Sequence, residues 1–237
     1  MSAPELGALW LGRVDYQSAW ALQRRLAEER RAGRIDDCVL LLEHPPVYTL
    51  GRNTRPEHVP GGAERLRSLG AECWEVDRGG SVTFHGPGQL VAYPILLLAE
   101  AFPLAGRPGL GDVDHYLRAL EAALGATAAR AGIAAGPRPP YTGAWVGGAK
   151  LAAIGVKLAG GVTTHGIGLN VSTDLGWFAE VVPCGIAGAG VTSLERLGAP
   201  GLEVETVAGW FAGALAERLG RRQVATPSAV AESAQIR

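Results

Sequence analysis

Cysteine is scarce in this sequence, and the three that occur stand far apart. They lie at positions 38, 73 and 184, and no two of them form a CxxC pair. An odd, scattered set of cysteines argues against a disulfide framework, and the lack of CxxC pairs argues against a thiolate metal site. The net charge is −1, with no extended run of one sign, which argues against a global basic surface for nucleic acid.

Long hydrophobic runs are also missing. The longest, "LVAYPILLLAEAF", is too short to span a bilayer and contains Pro94 and Glu100. The N-terminal segment lacks the basic start, apolar run and small-residue cleavage site of a secretory signal. We therefore expect a soluble, cytoplasmic protein that makes no use of a membrane.

Glycine, in contrast, is abundant. The 34 glycines are about twice the average share, and they cluster at 79–88, 143–168 and 185–190. Apolar spacing predicts helices over 16–34, 109–133 and 206–222, and glycine pairs at 147–148 and 160–161 predict turns between three short strands. This mixture predicts an α+β fold, a two-layer arrangement with a mixed sheet. Without repeats or a linker, we expect a single domain over 1–222 and a mobile C-terminal tail over 223–237.

One cysteine stands in an unusual setting, the stretch "VVPCGIAGAG" at 181–190. A free cysteine is most often a small buried residue, and this interpretation suits Cys38 and Cys73, which lie in apolar runs. At Cys184 the flanking Pro183 and Gly185 leave room for a ligand and free backbone N–H groups for an oxyanion. The local sequence leaves both interpretations of Cys184 open, a buried filler and a nucleophile.

A thiol nucleophile needs a group that favours its thiolate. His85 and His165 each follow a strand with a hydroxyl side chain and precede a glycine, so each strand is expected to end at a cavity. Turn histidines bonded to the backbone are the alternative. Lys150, among small apolar neighbours in "GGAKLAAIG", is either partly buried and functional or a solvated strand lysine. Lys157 suits the solvated role better.

The glycine-rich stretch "RGGSVTFHGPGQ" also raises the possibility of nucleotide binding. It lacks the GxxxxGK[ST] pattern, and "GIAGAG" lies in no strand–helix unit with a distal acid. The sequence therefore gives little support to phosphate or dinucleotide binding.

Four motifs in one order carry a family resemblance: "RGGSVTFHGPGQLVAYPI", "GAKLAAIGVK", "THGIGLNV" and "VVPCGI". Together with "LLEHPPVYTLGR", they resemble the lipoyl(octanoyl) transferases over residues 38 to 197. One departure is Gly168, where that family more often has alanine. The resemblance implies the lipoate/biotin protein ligase-like fold, with a largely antiparallel or mixed sheet flanked by helices.

The resemblance also implies roles for particular residues. Cys184 holds the position of the cysteine that carries the acyl group as a thioester, and Lys150 that of the lysine that lowers its pKa. The implied substrate-binding residues are Arg78, Gly79, Gly80, Ser81, Val82, Thr83, Phe84, His85, Ala153, Ile154, Gly155, His165, Gly166, Ile167 and Gly168. We expect binding and orientation, and not base catalysis, from His85 and His165. Asn170 and Arg78 are also able to hold loops.

The implied reaction moves an octanoyl group from octanoyl-acyl carrier protein to a lysine of a lipoyl domain. Such domains occur in the E2 subunits of 2-oxo acid dehydrogenases and in the glycine cleavage H protein. Neither ATP nor a metal is expected, and a monomer is the default. Because both partners are acidic domains, we expect a basic patch drawn from Arg52, Arg55, Arg65 or Arg138. The alternatives are an ATP-dependent lipoate or biotin ligase and a non-catalytic binder of lipoyl domains.

Overall fold

The computed structural model describes residues 4–182, 190–225 and 230. Its main sheet has nine strands: β1 (Glu5–Arg13), β2 (Cys38–Glu43), β6 (Gln89–Ile95), β7 (Gly136–Arg138), β8 (Tyr141–Val146), β9 (Ala149–Ala159), β10 (Val162–Asn170), β11 (Gly190–Val191) and β12 (Arg222–Ala225). The order is β12-β1-β2-β6-β10-β9-β8-β7, and β11 pairs with β9. Along the part of this order that runs β2-β6-β10-β9-β8-β7, every pair of neighbouring strands is antiparallel. Strand β1 runs parallel to its two neighbours, β2 and β12. The predicted mixed, largely antiparallel sheet is therefore confirmed.

Five α-helices accompany the sheet in the described part of the chain: α1 (Tyr16–Arg31), α2 (Gly62–Ser68), α3 (Leu98–Ala101), α4 (Val113–Arg130) and α5 (Val204–Arg218). The three long helices confirm the helices predicted from apolar spacing. The N-cap of α4 is Asp112, whose carboxylate accepts a hydrogen bond from the His115 N–H. None of the described helices is both long and apolar enough to cross a membrane.

Alternation along β2 divides the core between the two faces of the sheet. Val39 and Leu41 belong to the cluster that contains α4 and α5, whereas Leu40 and Leu42 pack with α1. Successive side chains of a strand point to opposite faces, so a continuous apolar run is buried on both sides. Helices therefore cover both faces of the central strands.

A second, three-stranded sheet carries part of the site. It consists of β3 (Val47–Leu50), β4 (Glu72–Glu75) and β5 (Val82–His85), in the order β4-β3-β5. Tyr48 and Phe84 lie at its centre with their rings 5.2 Å apart. The sheet holds the glycine-rich 78–85 segment opposite the hairpin of β9 and β10, because the Gly79 N–H donates to the Val156 carbonyl at 2.9 Å.

The hairpins form where the glycine pairs predicted them. Gly160 and Gly161 connect β9 to β10 with φ of 56° and 80°, and Gly147, with φ of 56°, begins the turn between β8 and β9. Two-residue hairpins need positive φ at the turn, which glycine adopts without strain.

The predicted C-terminal tail begins too early. Gln223, Val224 and Ala225, assigned to the tail, belong to β12, and Gln223 and Val224 pair with Leu6 and Gly7 of β1. This short strand is stabilised by hydrogen bonds to the edge of the sheet. Its own sequence has no apolar alternation, so the sequence did not predict a strand here. Of the later residues the structure describes Val230, which is buried in the α1 cluster.

Candidate active site

A narrow cavity lies between the 78–85 segment and the β9–β10 hairpin. The predicted substrate-binding residues line it, except Gly79 and Phe84, and two further residues join them. The lining consists of Tyr16, Arg78, Gly80, Ser81, Val82, Thr83, His85, Tyr93, Ala153, Ile154, Gly155, His165, Gly166, Ile167 and Gly168. Three segments distant in sequence thus form one concave surface.

The two exceptions support the cavity from behind. Gly79 fixes the segment to β9 through its hydrogen bond to Val156. Phe84 is 1% exposed, and its ring stacks on Trp177 at 5.1 Å and 5°. Because β-strand side chains alternate, Phe84 turns away from the surface that Thr83 and His85 form.

Tyr16 and Tyr93 are cavity residues that the sequence analysis missed. Tyr93 lies on β6, and its hydroxyl donates to Nε2 of His44 at 2.8 Å, while Nδ1 of His44 lies 2.6 Å from the Val14 carbonyl. Burial raises the pKa of both tyrosines, so both hydroxyls stay protonated. The available signal was a tyrosine inside the apolar run "LVAYPI", since a buried tyrosine hydroxyl usually has a polar partner.

His85, the last residue of β5, is locked in one tautomer. Its Nδ1 lies 2.7 Å from Oε1 of Gln89, and the Gln89 amide nitrogen donates to the Phe84 carbonyl and to Oδ1 of Asn170. The Gln89 oxygen must therefore accept, so Nδ1 of His85 carries the proton and Nε2 is an acceptor. Burial, helped by the charge of His44, lowers the pKa of His85 to about 3.

Asn170 extends this network toward the strand of Lys150. Its Nδ2 donates to the Thr192 carbonyl at 2.9 Å, and the Thr192 N–H donates to the Lys150 carbonyl at 3.0 Å. The predicted loop-holding role of Asn170 matches these contacts. A chain of hydrogen bonds thus links His85 in the cavity to the backbone of Lys150.

His165 does not end a strand, contrary to the sequence interpretation. It lies in the middle of β10 with φ of 56°, and its N–H donates to Oε1 of Gln23 at 2.7 Å. Its Nε2 lies 3.0 Å from Oδ1 of Asp77, whose other oxygen pairs with Lys157 at 2.5 Å. Gln23 and Asp77 together hold a backbone conformation that is uncommon outside glycine.

Burial decides the charge of His165. It lowers the pKa of His165 to about 4 and outweighs the neighbouring Asp77 carboxylate. Although partial burial opposes ionisation of Asp77, hydrogen bonds from Lys157 and His165 keep its pKa below the usual range. His165 is therefore a neutral, oriented side chain at neutral pH, and Lys157 is an ion-pair partner rather than a merely solvated lysine.

Arg78 is buried at the edge of the cavity and holds the small sheet. Its Nη2 donates to the Thr49 carbonyl at 2.7 Å and to the Thr49 hydroxyl at 2.8 Å, and its Nη1 donates to the Gly79 carbonyl. These contacts fit the loop-holding role considered for Arg78. Arg78 also lines the cavity.

Lys150 is buried where an open groove meets the narrow cavities. It lies on β9 opposite Trp145 of β8, is 7% exposed, and has its Nζ 4.7 Å from the centre of the Trp145 ring. The groove is lined by Asn53, Arg55, His58, Gly80, Ser81, Pro140, Tyr141, Thr142, Lys150 and Ile154. Lys150 also lines a small cavity that shares Thr83, Ala153 and Gly168 with the main one. The structure thus places Lys150 beside the predicted substrate-binding residues.

Cys184 lies outside the described residues, and so do Pro183 and Gly185. The described chain on either side of 183–189 contacts the walls of the groove. The Val182 N–H donates to the His58 carbonyl at 2.9 Å, and on the far side Val191 pairs with Lys150.

The arginines expected to form a basic patch differ in their surroundings. Arg55 lines the groove and lies 3.8 Å from Glu57, whereas Arg65 pairs with Glu180 at 3.2 Å. Arg138 lies over the Trp145 ring at 5.1 Å, near Lys150. Arg55 therefore lines this groove, Arg138 shares the Trp145 ring with Lys150, and Arg52 lines a second groove that also includes Arg55.

Gly168 is the position at which this chain departs from its resemblance, and the structure gives a reason. A Cβ there would lie 2.9 Å from Oε1 of Gln89 and 3.3 Å from Cε1 of His85. We expect Gly168→Ala to displace Gln89, loosen His85 and raise KM for the substrate several-fold, because His85 lines the main cavity and Gln89 lines the small cavity beside it. Steady-state kinetics would measure this, with exposed Gly132→Ala, where φ is 76°, as a control for general destabilisation. An unchanged KM would mean that Gln89 shifts without consequence.

Comparison with known proteins decides the family. The catalytic domain model of lipoyl protein ligases A and B matches residues 15–216. An octanoyltransferase of Rubrobacter xylanophilus is 48% identical over 206 residues, which cover 84% of this chain and 89% of that protein. The chain belongs to the octanoyltransferase family. A second octanoyltransferase, from Chloroflexus aggregans, is 50% identical over 187 residues, covering 78% of this chain and 81% of that one.

Solved structures give the fold of this octanoyltransferase family member. A bipartite lipoate protein ligase from Thermoplasma acidophilum superposes with a TM-score of 0.69 at 15% identity, covering 99% of this chain and 91% of that one. Lipoate-protein ligase A bound with ATP gives the same TM-score at 14% identity, covering 99% and 93%. The predicted lipoate-ligase-like fold is thereby confirmed.

Proposed function

We propose that this protein transfers an octanoyl group from octanoyl-acyl carrier protein to a lysine of a lipoyl domain. The acyl group passes through a thioester on Cys184, and Lys150 acts with that cysteine. The acceptors are lipoyl domains of 2-oxo acid dehydrogenase E2 subunits and the glycine cleavage H protein. The protein works as a single catalytic domain and a monomer in the cytoplasm, without ATP or a metal.

The position of Lys150 carries this proposal. It borders an open groove and one small cavity, which share Ser81, Ile154 and Thr83 with the main cavity. The groove suits the approach of a macromolecular donor or acceptor. The main cavity, walled by glycines and by Val82, Ile154 and Ile167, suits an apolar acyl chain.

The described residue nearest before Cys184 also supports the proposal. Cys184 is two residues after Val182, so the two Cα atoms are separated by at most about 7 Å. Val182 is hydrogen-bonded to His58, which lines the groove with Lys150. These contacts of its chain neighbour support a coupled pair in which the Lys150 ammonium stabilises the Cys184 thiolate.

In the first half-reaction, the thiolate of Cys184 attacks the carbonyl carbon of the carrier thioester. Backbone N–H groups near Cys184 or the Lys150 ammonium stabilise the oxyanion. The carbon–sulfur bond to the carrier breaks, and the leaving sulfur takes a proton from Lys150. An octanoyl-enzyme and a neutral Lys150 remain. One thioester has replaced another, so no energy source is needed.

In the second half-reaction, the neutral amine of the acceptor lysine attacks the octanoyl-enzyme. The nitrogen–carbon bond forms, the nitrogen gives its surplus proton to Lys150, and Cys184 leaves as a thiolate. The ammonium–thiolate pair is then restored. The amide product is lower in energy than the thioester, which drives the transfer forward.

His85 and His165 bind and orient in this scheme. Both are buried, with pKa values lowered to about 3 and about 4, and both have one ring nitrogen within hydrogen-bond distance of a fixed oxygen. A base with so low a pKa is a weak proton acceptor at neutral pH. Orientation of the substrate therefore suits them better than base catalysis.

An ATP-dependent ligase remains the main alternative, since that activity occurs on this fold. The cysteine in "VVPCGI" supports transfer, because an adenylating ligase has no use for it. The joint presence of Cys184 and Lys150 also favours catalysis over mere binding of lipoyl domains. Transfer from octanoyl-carrier in the absence of ATP separates these possibilities, and an absolute ATP requirement would overturn the proposal.

Incubation with octanoyl-acyl carrier protein is expected to leave one octanoyl group on the enzyme. Intact mass should show a single adduct that hydroxylamine removes, because a thioester is labile to this nucleophile whereas an amide is not. Peptide mapping should place the adduct on Cys184. Addition of a lipoyl domain should then discharge it. An adduct at another residue, or none, would refute the assignment of the nucleophile.

A further inference from the structure

The ring of Trp145 makes a cation–π contact with the Lys150 ammonium. Its ring centre lies 4.7 Å from Nζ of Lys150 and 5.1 Å from Cζ of Arg138. The pairing of β8 with β9 places Trp145 directly opposite Lys150, and Gly136 of β7 pairs with Trp145 from the other side. The indole is therefore fixed by two strand neighbours and contacts two cations.

Burying the Trp145 indole costs folding free energy, because its N–H group is left without an acceptor in the part of the chain that the structure describes. This cost suggests that the contact between the ring face and the cations has a function. Trp145 is 4% exposed, and its Nε1–H has no acceptor among the described residues. A buried donor without a partner destabilises a fold, and most buried tryptophans avoid this. An aromatic face attracts cations through its quadrupole, most strongly when the pair is desolvated, as it is here.

We propose that Trp145 is a positioning residue for the transfer reaction: its ring holds the Lys150 ammonium in place through a cation–π contact. The inference rests on the proposed role of Lys150. Trp145 touches neither substrate nor the reacting sulfur in this scheme, and acts through Lys150. In the proposed scheme Lys150 is an ammonium before the acyl-enzyme forms and after it is discharged, and a neutral amine in the acyl-enzyme. The Trp145 ring would stabilise Lys150 in the first and last of these states, and not in the acyl-enzyme.

Other charged or titratable groups surround the pair. Arg138 shares the ring from β7, while Arg55 and His58 line the groove across from Lys150, and Tyr141 lies on β8. The positive groups among them oppose a second positive charge at Lys150. A ring face that stabilises the ammonium offsets this repulsion.

The test is the pH dependence of Cys184 alkylation, followed by mass on the peptide that contains it. Trp145→Leu should raise the midpoint by about 1 pH unit, because a weaker hold on the ammonium leaves the thiolate less stabilised. Trp145→Phe, which keeps an aromatic face, should restore about half of this shift. Trp145→Leu in a Lys150→Ala background should add no further shift, which a merely structural role of the ring would not predict.

A matched control removes another tryptophan–cation pair. Trp210 lies 5.2 Å from Cζ of Arg130, on α5 and away from Lys150. Trp210→Leu should lower stability without moving the alkylation midpoint. If Lys150→Ala raises the midpoint and neither Trp145 variant does, this inference is wrong while the proposed function stands. If wild-type enzyme forms no adduct on Cys184, the proposed function itself fails.

Discussion

Replacing Cys184 with alanine is expected to abolish octanoyl transfer. Without the thiol no acyl-enzyme forms, and direct attack of the acceptor lysine on the carrier thioester would require a three-component arrangement. We expect a loss of at least about 10³-fold in kcat, the scale seen when a covalent nucleophile is removed. The measurement is octanoylation of a purified lipoyl domain, read by its intact mass.

The other two cysteines provide matched controls. Burial raises the pKa of Cys38 to about 12 and raises that of Cys73, so both are poor nucleophiles near neutral pH. Cys38→Ala and Cys73→Ala should retain transfer, apart from modest losses of stability. Circular dichroism and thermal unfolding of Cys184→Ala should resemble the wild type. Residual transfer above about one tenth in a folded Cys184→Ala protein would contradict a covalent mechanism.

Stability is expected to fall steeply when the pH drops below about 6.5. Burial lowers the pKa of His44 and His165 to about 4 and that of His85 to about 3. In the unfolded chain histidine titrates near 6.5, so the unfolded state binds more protons than the folded state throughout this range. The free energy of unfolding therefore increases with pH up to about 6.5, and each histidine costs about 2 kcal/mol of stability at pH 5.

Urea unfolding at pH 8, 6.5, 5.5 and 5 would measure this loss. The slope of the unfolding free energy against pH gives the number of protons taken up, which should approach three near pH 5. His44→Gln should lower that number by about one. His115→Gln is the matched control, because His115 is exposed on α4 and meets water in both states. A slope near zero between pH 8 and 5 would mean that the histidines are charged in the folded protein.

Local sequence was enough to predict much of the fold, and the family resemblance implied the residues of the site. The helices followed from apolar spacing, and the β8–β9–β10 meander from its two glycine pairs, because both signals depend on residues close in the chain. The family resemblance implied the segments around Ser81, Ile154 and Ile167, and the fold brings these three segments together as the lining of one cavity. Whether those residues bind substrate stays a prediction.

Contacts between distant residues could not be predicted. His165 was visible as a histidine before a glycine, but Asp77, 88 residues earlier, and Gln23, 142 residues earlier, fix its ring and its positive φ. The same holds for Trp145, which reads locally as an ordinary strand aromatic. Its cation contacts appear only when β7, β8 and β9 pair. Whether a buried polar group has a hydrogen-bond partner depends on the whole fold, so a local sequence pattern does not predict that partner.

The glycines of the β9–β10 hairpin have a consequence for engineering. A Cβ at Gly166 would lie 2.1 Å from the Ala92 carbonyl, and one at Gly155 would lie 3.0 Å from the Arg78 side chain. At these two positions the wall of the cavity is formed by the main chain, with no room for a side chain. A larger residue there would displace the neighbouring strands or Arg78 before it changed the shape of the cavity. Redesign for other acyl chains would have to begin with the side chains of Val82, Ile154 and Ile167, which vary volume without moving the backbone.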